Sequence, residues 1–311
     1  MTLPALAALR ARFPDAPLTL VGNRAVAPLV QLAELADRWI DFDAVAVASL
    51  FVPEGAECFG ARAGLRSEGA HRAPLQAAVA WCGDPDGVLR RNLEQLGAEH
   101  VLVAPSRPSV GAHGVRPRIH MADHLVGTLQ SLGVGPRDAS APIRLDVPAT
   151  LAANAHARLT RLGLAGRRWV AVHPGSGSAS KNWPVERLAT LVERLPSTVG
   201  ASALVLAGPA DEDAVAQLLA RLAPPPLLVR DLPLPELAAA LQHADAYVGN
   251  DSGPTHLAAM LGRPTLALFG PTDPALWAPR GPRVRVLHHP PLADLAPDVV
   301  LNALAGLLRQ P

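Results

Sequence analysis

A chain of 311 residues with a formal net charge of +1 has room for two domains of ordinary size and no field strong enough to draw it to nucleic acid. Apolar residues make up 49%, enough for large cores, yet no uncharged run reaches the length of a membrane span. Cys58 and Cys82, the only cysteines, match no metal or redox spacing, and Met1–Arg12 lacks the order of a secretory leader, so the expected location is cytoplasmic.

Thr2 as cap and Pro4 in the first turn open a helix with Leu3, Leu6, Leu9 and Phe13 on one face, and the Pro14–Pro17 stretch ends it. Leu18–Val21 reads as a strand, Ala27–Leu35 as a helix, Ala44–Ala48 as a strand, Pro85–Leu96 as a helix and Val101–Ala104 as a strand. The polar, Pro- and Gly-rich stretch Pro105–Arg118 reads as loop, and His120–Leu132 as an amphipathic helix. Gly133–Thr150 has linker composition. A boundary near Asp146 divides the chain into 1–146 and 147–311. Arg62, Arg66, Arg72, Arg107, Arg116 and Arg118 are candidate contacts for an anionic acceptor, against the plain reading of a solvated surface.

The second half alternates strand and helix. Leu151–Leu162 reads as a helix, and Trp169–Gly175 as a strand running into the loop Ser176–Asn182. Small residues such as Ser176 let backbone approach a pyrophosphate, and Lys181, the single lysine of the chain, brings a compact positive charge to the same loop. Ala203–Gly208 is a strand leading to Asp211 and Glu212. Either acidic side chain is placed for ribose hydroxyls, or for the dipole of the helix that follows over Glu212–Leu222. Leu227–Val229 and Glu236–His243 continue the alternation.

Ala246–Gly249 is a short apolar strand, and Asn250–Gly253 turns the chain into a helix over Pro254–Met260, with Pro in its first turn. Free N–H groups and the positive dipole end make that helix start a seat for phosphate. Asp251, Ser252, Gly253, Thr255 and His256 line it, although Asp251 and Ser252 serve equally well as helix caps. Thr265–Phe269 is a second buried strand ending near Thr272 and Asp273, at the edge where open α/β sheets collect ligands. Val284–Leu287 and a helix over Asp298–Leu308 close the chain. A hydrolase elbow is excluded by the lack of Gly-x-Ser-x-Gly spacing at Gly175–Ser178, and no third group supports Ser252 with His256 as a nucleophile pair.

The strings HPGSGSASKNWP at 173–184, DSGPTHLAA at 251–259 and GRPTLALFGPTDP at 262–274 resemble the heptosyltransferases, the family 9 glycosyltransferases. The resemblance implies an α/β GT-B fold of two facing Rossmann-like domains with parallel sheets. It also implies inverting transfer of a heptose-type sugar from ADP-heptose to a lipopolysaccharide core or related glycan. Donor contacts would fall on Ser176, Lys181, Asp211 or Glu212, Asp251, Ser252, Gly253, Thr255, His256 and Thr272. Acceptor contacts would fall on Arg62, Arg66 and Arg107. No cofactor or metal is expected; the acceptor is lipid-linked or glycan, with transient contact to the inner face of the inner membrane. In that family a strand and a Gly-Asp loop carrying the catalytic base precede the first helix. The chain starts after that point, so the first strand of the N-terminal domain and its Asp are expected to be missing. The alternative reading is a catalytically impaired nucleotide-sugar-binding protein. A sugar-nucleotide epimerase of similar fold is disfavoured by the Lys181 and Asp251 strings.

Overall fold

The computed structural model describes residues 1–64, 75–109, 117–135, 143 and 145–309. The chain forms two compact units, Met1–Ile143 and Arg144–Pro311.

The first unit runs α1 (Leu3–Arg12), β1 (Thr19–Gly22), α2 (Ala27–Leu32), β2 (Arg38–Asp41), α3 (Val45–Ala48), α4 (Ala56–Arg62), β3 (Ala77–Trp81), α5 (Val88–Gln95), β4 (His100–Ala104) and α6 (Met121–Thr128). β1 pairs with β2 and β3 with β4, both in parallel. Alternate strand residues feed two cores. Leu20, Val79, Trp81 and Leu102 pack against the cluster built from α1 and α6, whereas Val21, Ile40, Ala78, Ala80, Val101 and Val103 pack against Phe59, Leu89 and Leu93 of α4 and α5. Period-two alternation between two helical layers is the signature of a sheet covered on both faces.

Two expectations for this unit are corrected, and two strands were missed. Ala44–Ala48 is not a strand. Its adjacent residues Ala46 and Val47 are both buried while Val45 is 74% exposed, a helical pattern rather than an alternating one. The strand of this region is β2, Arg-Trp-Ile-Asp, whose charged ends hid it. β3 was also missed, because Ala77–Trp81 is mostly alanine, a residue without strand preference. Thr2 precedes α1 with helical backbone angles and makes no side-chain cap bond.

The second unit runs α7 (Ala149–Arg161), β5 (Trp169–His173), α8 (Val185–Val199), β6 (Ser202–Ala207), α9 (Glu212–Leu219), β7 (Leu227–Arg230), α10 (Leu234–Leu241), β8 (Ala246–Asn250), α11 (Gly253–Met260), β9 (Thr265–Phe269), α12 (Pro274–Trp277), β10 (Val284–His288) and α13 (Pro297–Arg309). Its strands form one parallel sheet in the order β10-β9-β8-β5-β6-β7. Counted from β5, that is the 3-2-1-4-5-6 order of a dinucleotide-binding sheet, and it reverses between β5 and β8. Both strands are buried along their whole length. Val170, Val172 and Val248 pack with Leu191 and Leu195 of α8 and with Leu301 and Leu304 of α13. On the other side α11 contacts α10, which packs on α7. Helices α8 and α11 therefore leave adjacent strand ends on opposite faces, the arrangement in which open α/β sheets take ligands between the loops that lead into such helices.

Leu204 of β6 is 1% exposed. Leu204→Ala should cost about 2–5 kcal/mol, a lost side chain plus an unfilled cavity, read as a lower guanidinium midpoint for the second unit. Val299→Ala, at a position 47% exposed, should leave that midpoint nearly unchanged.

Candidate functional site

The loops at the β5/β8 reversal are tied to each other by one amide. Asn250, the last residue of β8 and 2% exposed, donates through Nδ2 to the carbonyls of Pro174 (2.9 Å) and Gly175 (3.3 Å). Its Oδ1 accepts from the Trp183 N–H at 3.0 Å. Asn250 thus clamps both ends of the loop that carries Ser176 and Lys181. Within that loop the Ser176 hydroxyl lies 2.7 Å from the Ser178 carbonyl and 2.7 Å from Asn182 Oδ1. The indole N–H of Trp183 donates to the Leu295 carbonyl and anchors the start of α8.

The clamp brings Lys181 to the start of α11, where its ammonium lies 2.9 Å from Asp251 Oδ2. The lysine side chain is 31% exposed and the aspartate 10%. A partly open ion pair at a helix N-terminus leaves the ammonium reachable by an incoming anion, and the first N–H groups of α11 have no partner within the helix. Gly253 is exposed at this turn, and His256 is half-buried.

Beneath the loops lies a buried polar chain. Thr255, fully buried, donates to the Asn250 carbonyl and receives the hydroxyls of Tyr247 and Ser252, each at 3.1 Å. Burial pushes the Tyr247 phenol well above its ordinary value, so it stays a donor. Ser252 Oγ is 3.5 Å from His173 Nδ1, and the other ring nitrogen, Nε2, is 3.0 Å from Asp211 Oδ2. The same carboxylate oxygen accepts from the Gly208 N–H at 2.7 Å. Burial alone would raise the Asp211 carboxyl, but the hydrogen bond and charge of His173 and the Gly208 N–H outweigh it and hold it below the usual carboxylate value. Gly175 has no room for a side chain, since a Cβ there would sit 1.7 Å from Asp211 Oδ1.

Ser176, Lys181, Asp251, Ser252, Gly253, Thr255 and His256 therefore sit on the two loops of one crevice or on the helix turn that closes it. Asp211 is buried, with its carboxylate hydrogen-bonded to His173 and the Gly208 N–H. Glu212, in the first turn of α9, is exposed. Thr272 follows β9, the next strand, and its hydroxyl oxygen is buried with no hydrogen-bond partner among the described residues. Arg62 and Arg107 are exposed in the first unit, while Arg66, Arg72 and Arg116 lie outside the described residues. No group of three His, Cys, Asp or Glu side chains among the described residues is placed to hold a metal ion. Asn250, His173 and Tyr247 were missed as members of the site. A polar residue ending an otherwise apolar strand was the available signal for the first two.

The model of glycosyltransferase family 9 (heptosyltransferase) matches residues 106–299. Lipopolysaccharide heptosyltransferase 3 of Escherichia coli is 30% identical over 118 residues, 37% of this chain and 34% of that protein. The chain thus matches about a third of the length of this curated relative. The crystal structure of a family 9 glycosyltransferase from Veillonella parvula superposes with a TM-score of 0.78 at 20% identity, covering 99% of this chain and 92% of the other. The ADP-heptose lipopolysaccharide heptosyltransferase II of E. coli gives 0.72 at 19% identity, covering 98% and 93%. These likenesses give the fold as GT-B, with parallel α/β sheets.

Two outcomes follow from the packing around Asp211. Gly175→Ala should lower the melting temperature by several degrees, whereas Gly177→Ala, with nothing within 4 Å of the added methyl, should not. A carboxyl held below its unfolded value contributes stability that is complete above about pH 3.9 and is lost as the pH falls through the lower native value. The stability gap between the protein and Asp211→Asn, read by urea unfolding, should therefore be widest near neutrality and narrow below about pH 4.

Proposed function

The chain belongs to glycosyltransferase family 9, and from that premise we propose that it transfers a heptose-type sugar from ADP-heptose to a lipopolysaccharide core or related glycan, with inversion at the anomeric carbon. The observation that carries the reading is the 2.9 Å contact between Lys181 and Asp251 at the reversal of the second sheet. A nucleoside diphosphate leaving group develops charge in the transition state, and a fixed cation beside unpaired helix N–H groups stabilises that charge.

In this reading the diphosphate takes over the Lys181 ammonium from Asp251. The freed carboxylate is then an acceptor for sugar hydroxyls. The N–H groups at Gly253 and Thr255 face phosphate oxygens, and the unpartnered Thr272 hydroxyl supplies a further donor. Ser176 and His256 flank the same crevice. Glu212, exposed one residue beyond the buried Asp211, is the acidic side chain left for ribose. Neutralisation falls to Lys181 and the helix start, with no cofactor assigned.

Arg62 and Arg107 of the first unit are assigned to an anionic, lipid-linked acceptor or its glycan. No helix among the described residues is long and apolar enough to cross a membrane. We place the reaction in the cytoplasm, with transient docking on the inner face of the inner membrane. Supporting that docking, Val26, Phe42, Val45, Phe51 and Val52 are exposed in the segments that follow β1 and β2, and the rings of Phe42 and Phe51 meet edge-on at 6.4 Å.

Calorimetry and turnover test the assignment. Lys181→Ala should weaken ADP binding by about 10- to 100-fold, the loss of a charge-assisted bond of roughly 1.5–3 kcal/mol. A loss within about twofold removes Lys181 from the phosphate site. Release of ADP from ADP-heptose in the presence of a lipopolysaccharide core acceptor is expected of the protein; ADP binding without any such release would leave a nucleotide-sugar-binding protein.

A further inference from the structure

In the buried chain beneath these loops the proton count fixes one direction, that of Thr255. Thr255 spends its only hydroxyl proton on the Asn250 carbonyl. The Tyr247 and Ser252 hydroxyls, each 3.1 Å from Thr255 Oγ1, must therefore both donate to it or go elsewhere. Tyr247 is hydrogen-bonded with both Thr255 and Ser252. Ser252 has a single proton and two inward neighbours, Thr255 Oγ1 at 3.1 Å and His173 Nδ1 at 3.5 Å, and donates to one of them at a time. Asp211 faces Nε2 of His173 and needs a proton between them, since a lone pair there would oppose a carboxylate. The ring is thereby oriented with Nδ1 toward Ser252.

We propose that His173 and Asp211 are positioning residues: Asp211 orients the imidazole, the imidazole and Thr255 together anchor the Ser252 side chain, and this anchor fixes the first turn of α11 against which the donor diphosphate binds. The inference rests on the donor-site reading above for its functional consequence, but the anchor itself is built from the protein's own side chains. Three features go beyond ordinary packing. His173 and Asp211 are 7% and 5% exposed, an expensive placement for groups of this polarity. Gly175 is flattened against the carboxylate, so the loop carrying Lys181 rests on the same support. Ser252 stands at the cap position of α11 yet makes no side-chain cap bond, because its hydroxyl is engaged inward instead. Buried partners that hold a contacting residue in place govern affinity through that residue, as outer-shell groups do elsewhere.

The test combines histidine nitrogen NMR with a double-mutant cycle on the full chain. In ¹⁵N-histidine protein, with the His173 signals assigned by their disappearance in His173→Gln, Ser252→Ala should move the Nδ1 resonance and Asp211→Asn the Nε2 resonance. In calorimetry with ADP, His173→Gln should weaken binding about five- to tenfold in the otherwise unaltered protein and less than about twofold in the Ser252→Ala background, because the anchor acts through that hydroxyl. Equal losses in both backgrounds, or an Nδ1 resonance indifferent to Ser252→Ala, would overturn the proposal. Should His173→Gln fail to fold, Asp211→Asn takes its place in the cycle with the same expectation, and the missing signals are assigned by that variant's shifts. If the unaltered protein binds no ADP, the donor-site reading fails while the resonance shifts still decide the anchor.

Discussion

A single buried amide sets the geometry on which the site depends. Asn250 ends a strand that is buried along its length, and its side chain uses both Nδ2 protons and its oxygen on one neighbouring loop. Two carbonyls and one N–H of that loop have no helix or strand ladder to satisfy them. Removing the amide would strand them at roughly 1–3 kcal/mol apiece. The path of the chain from Pro174 to Trp183, and with it the reach of Lys181, is therefore set by a residue on a different strand. Sequence separation is large, but in space the two are nearest neighbours in the sheet, because β5 pairs directly with β8.

That pairing is a consequence of topology. After β7 the chain returns across the sheet and lays β8 on the free edge of β5, so the helices that follow β5 and β8 go to opposite faces. Right-handed parallel crossovers leave little choice in this, and they open a crevice at the carboxyl ends of the two central strands. Charge is then distributed by depth. Lys181 and Asp251 sit near the surface, where an anion can compete for the ammonium. Asp211 and His173 sit below, where no anion reaches and where each satisfies the other.

Much of this was legible in the residues themselves. Strands of the second unit read as continuous apolar runs bounded by Gly, Pro and Asp, as strands buried on both faces must, and Lys181 stood out through its motif and its isolation among arginines. What stayed hidden shares one cause. The role of Asp211 depends on a long-range contact with the end of another strand, and an acidic residue at a helix start looks the same whether it caps, binds ribose or turns inward. β2 and β3 escaped for a related reason. The charged ends of Arg-Trp-Ile-Asp and the alanines of Ala-Ala-Val-Ala-Trp blur the strand pattern, and packing between two helical layers decides it. Val45 and its neighbours went the opposite way, a β-branched stretch folded as a short helix because two adjacent side chains found a core.

The buried polar chain from Asp211 to Tyr247 is poorly explained by stability. A well-packed apolar core at the same place would be at least as stable, since desolvating a carboxylate and an imidazole offsets much of their attraction. What hydrogen-bonded groups supply that apolar ones do not is direction. Thr255 has one proton and one possible carbonyl for it, Asp211 faces one ring nitrogen, and the small residues at Gly175 and Gly249 leave no slack, the latter with Tyr247 where a Cβ would lie. A hydrogen-bonded network restricts the arrangement of the loops above it, whereas aliphatic contacts tolerate several. Under the proposed reading, a site that presents an ammonium and the first N–H groups of a helix to a diphosphate in one geometry needs that restriction more than it needs the extra stability.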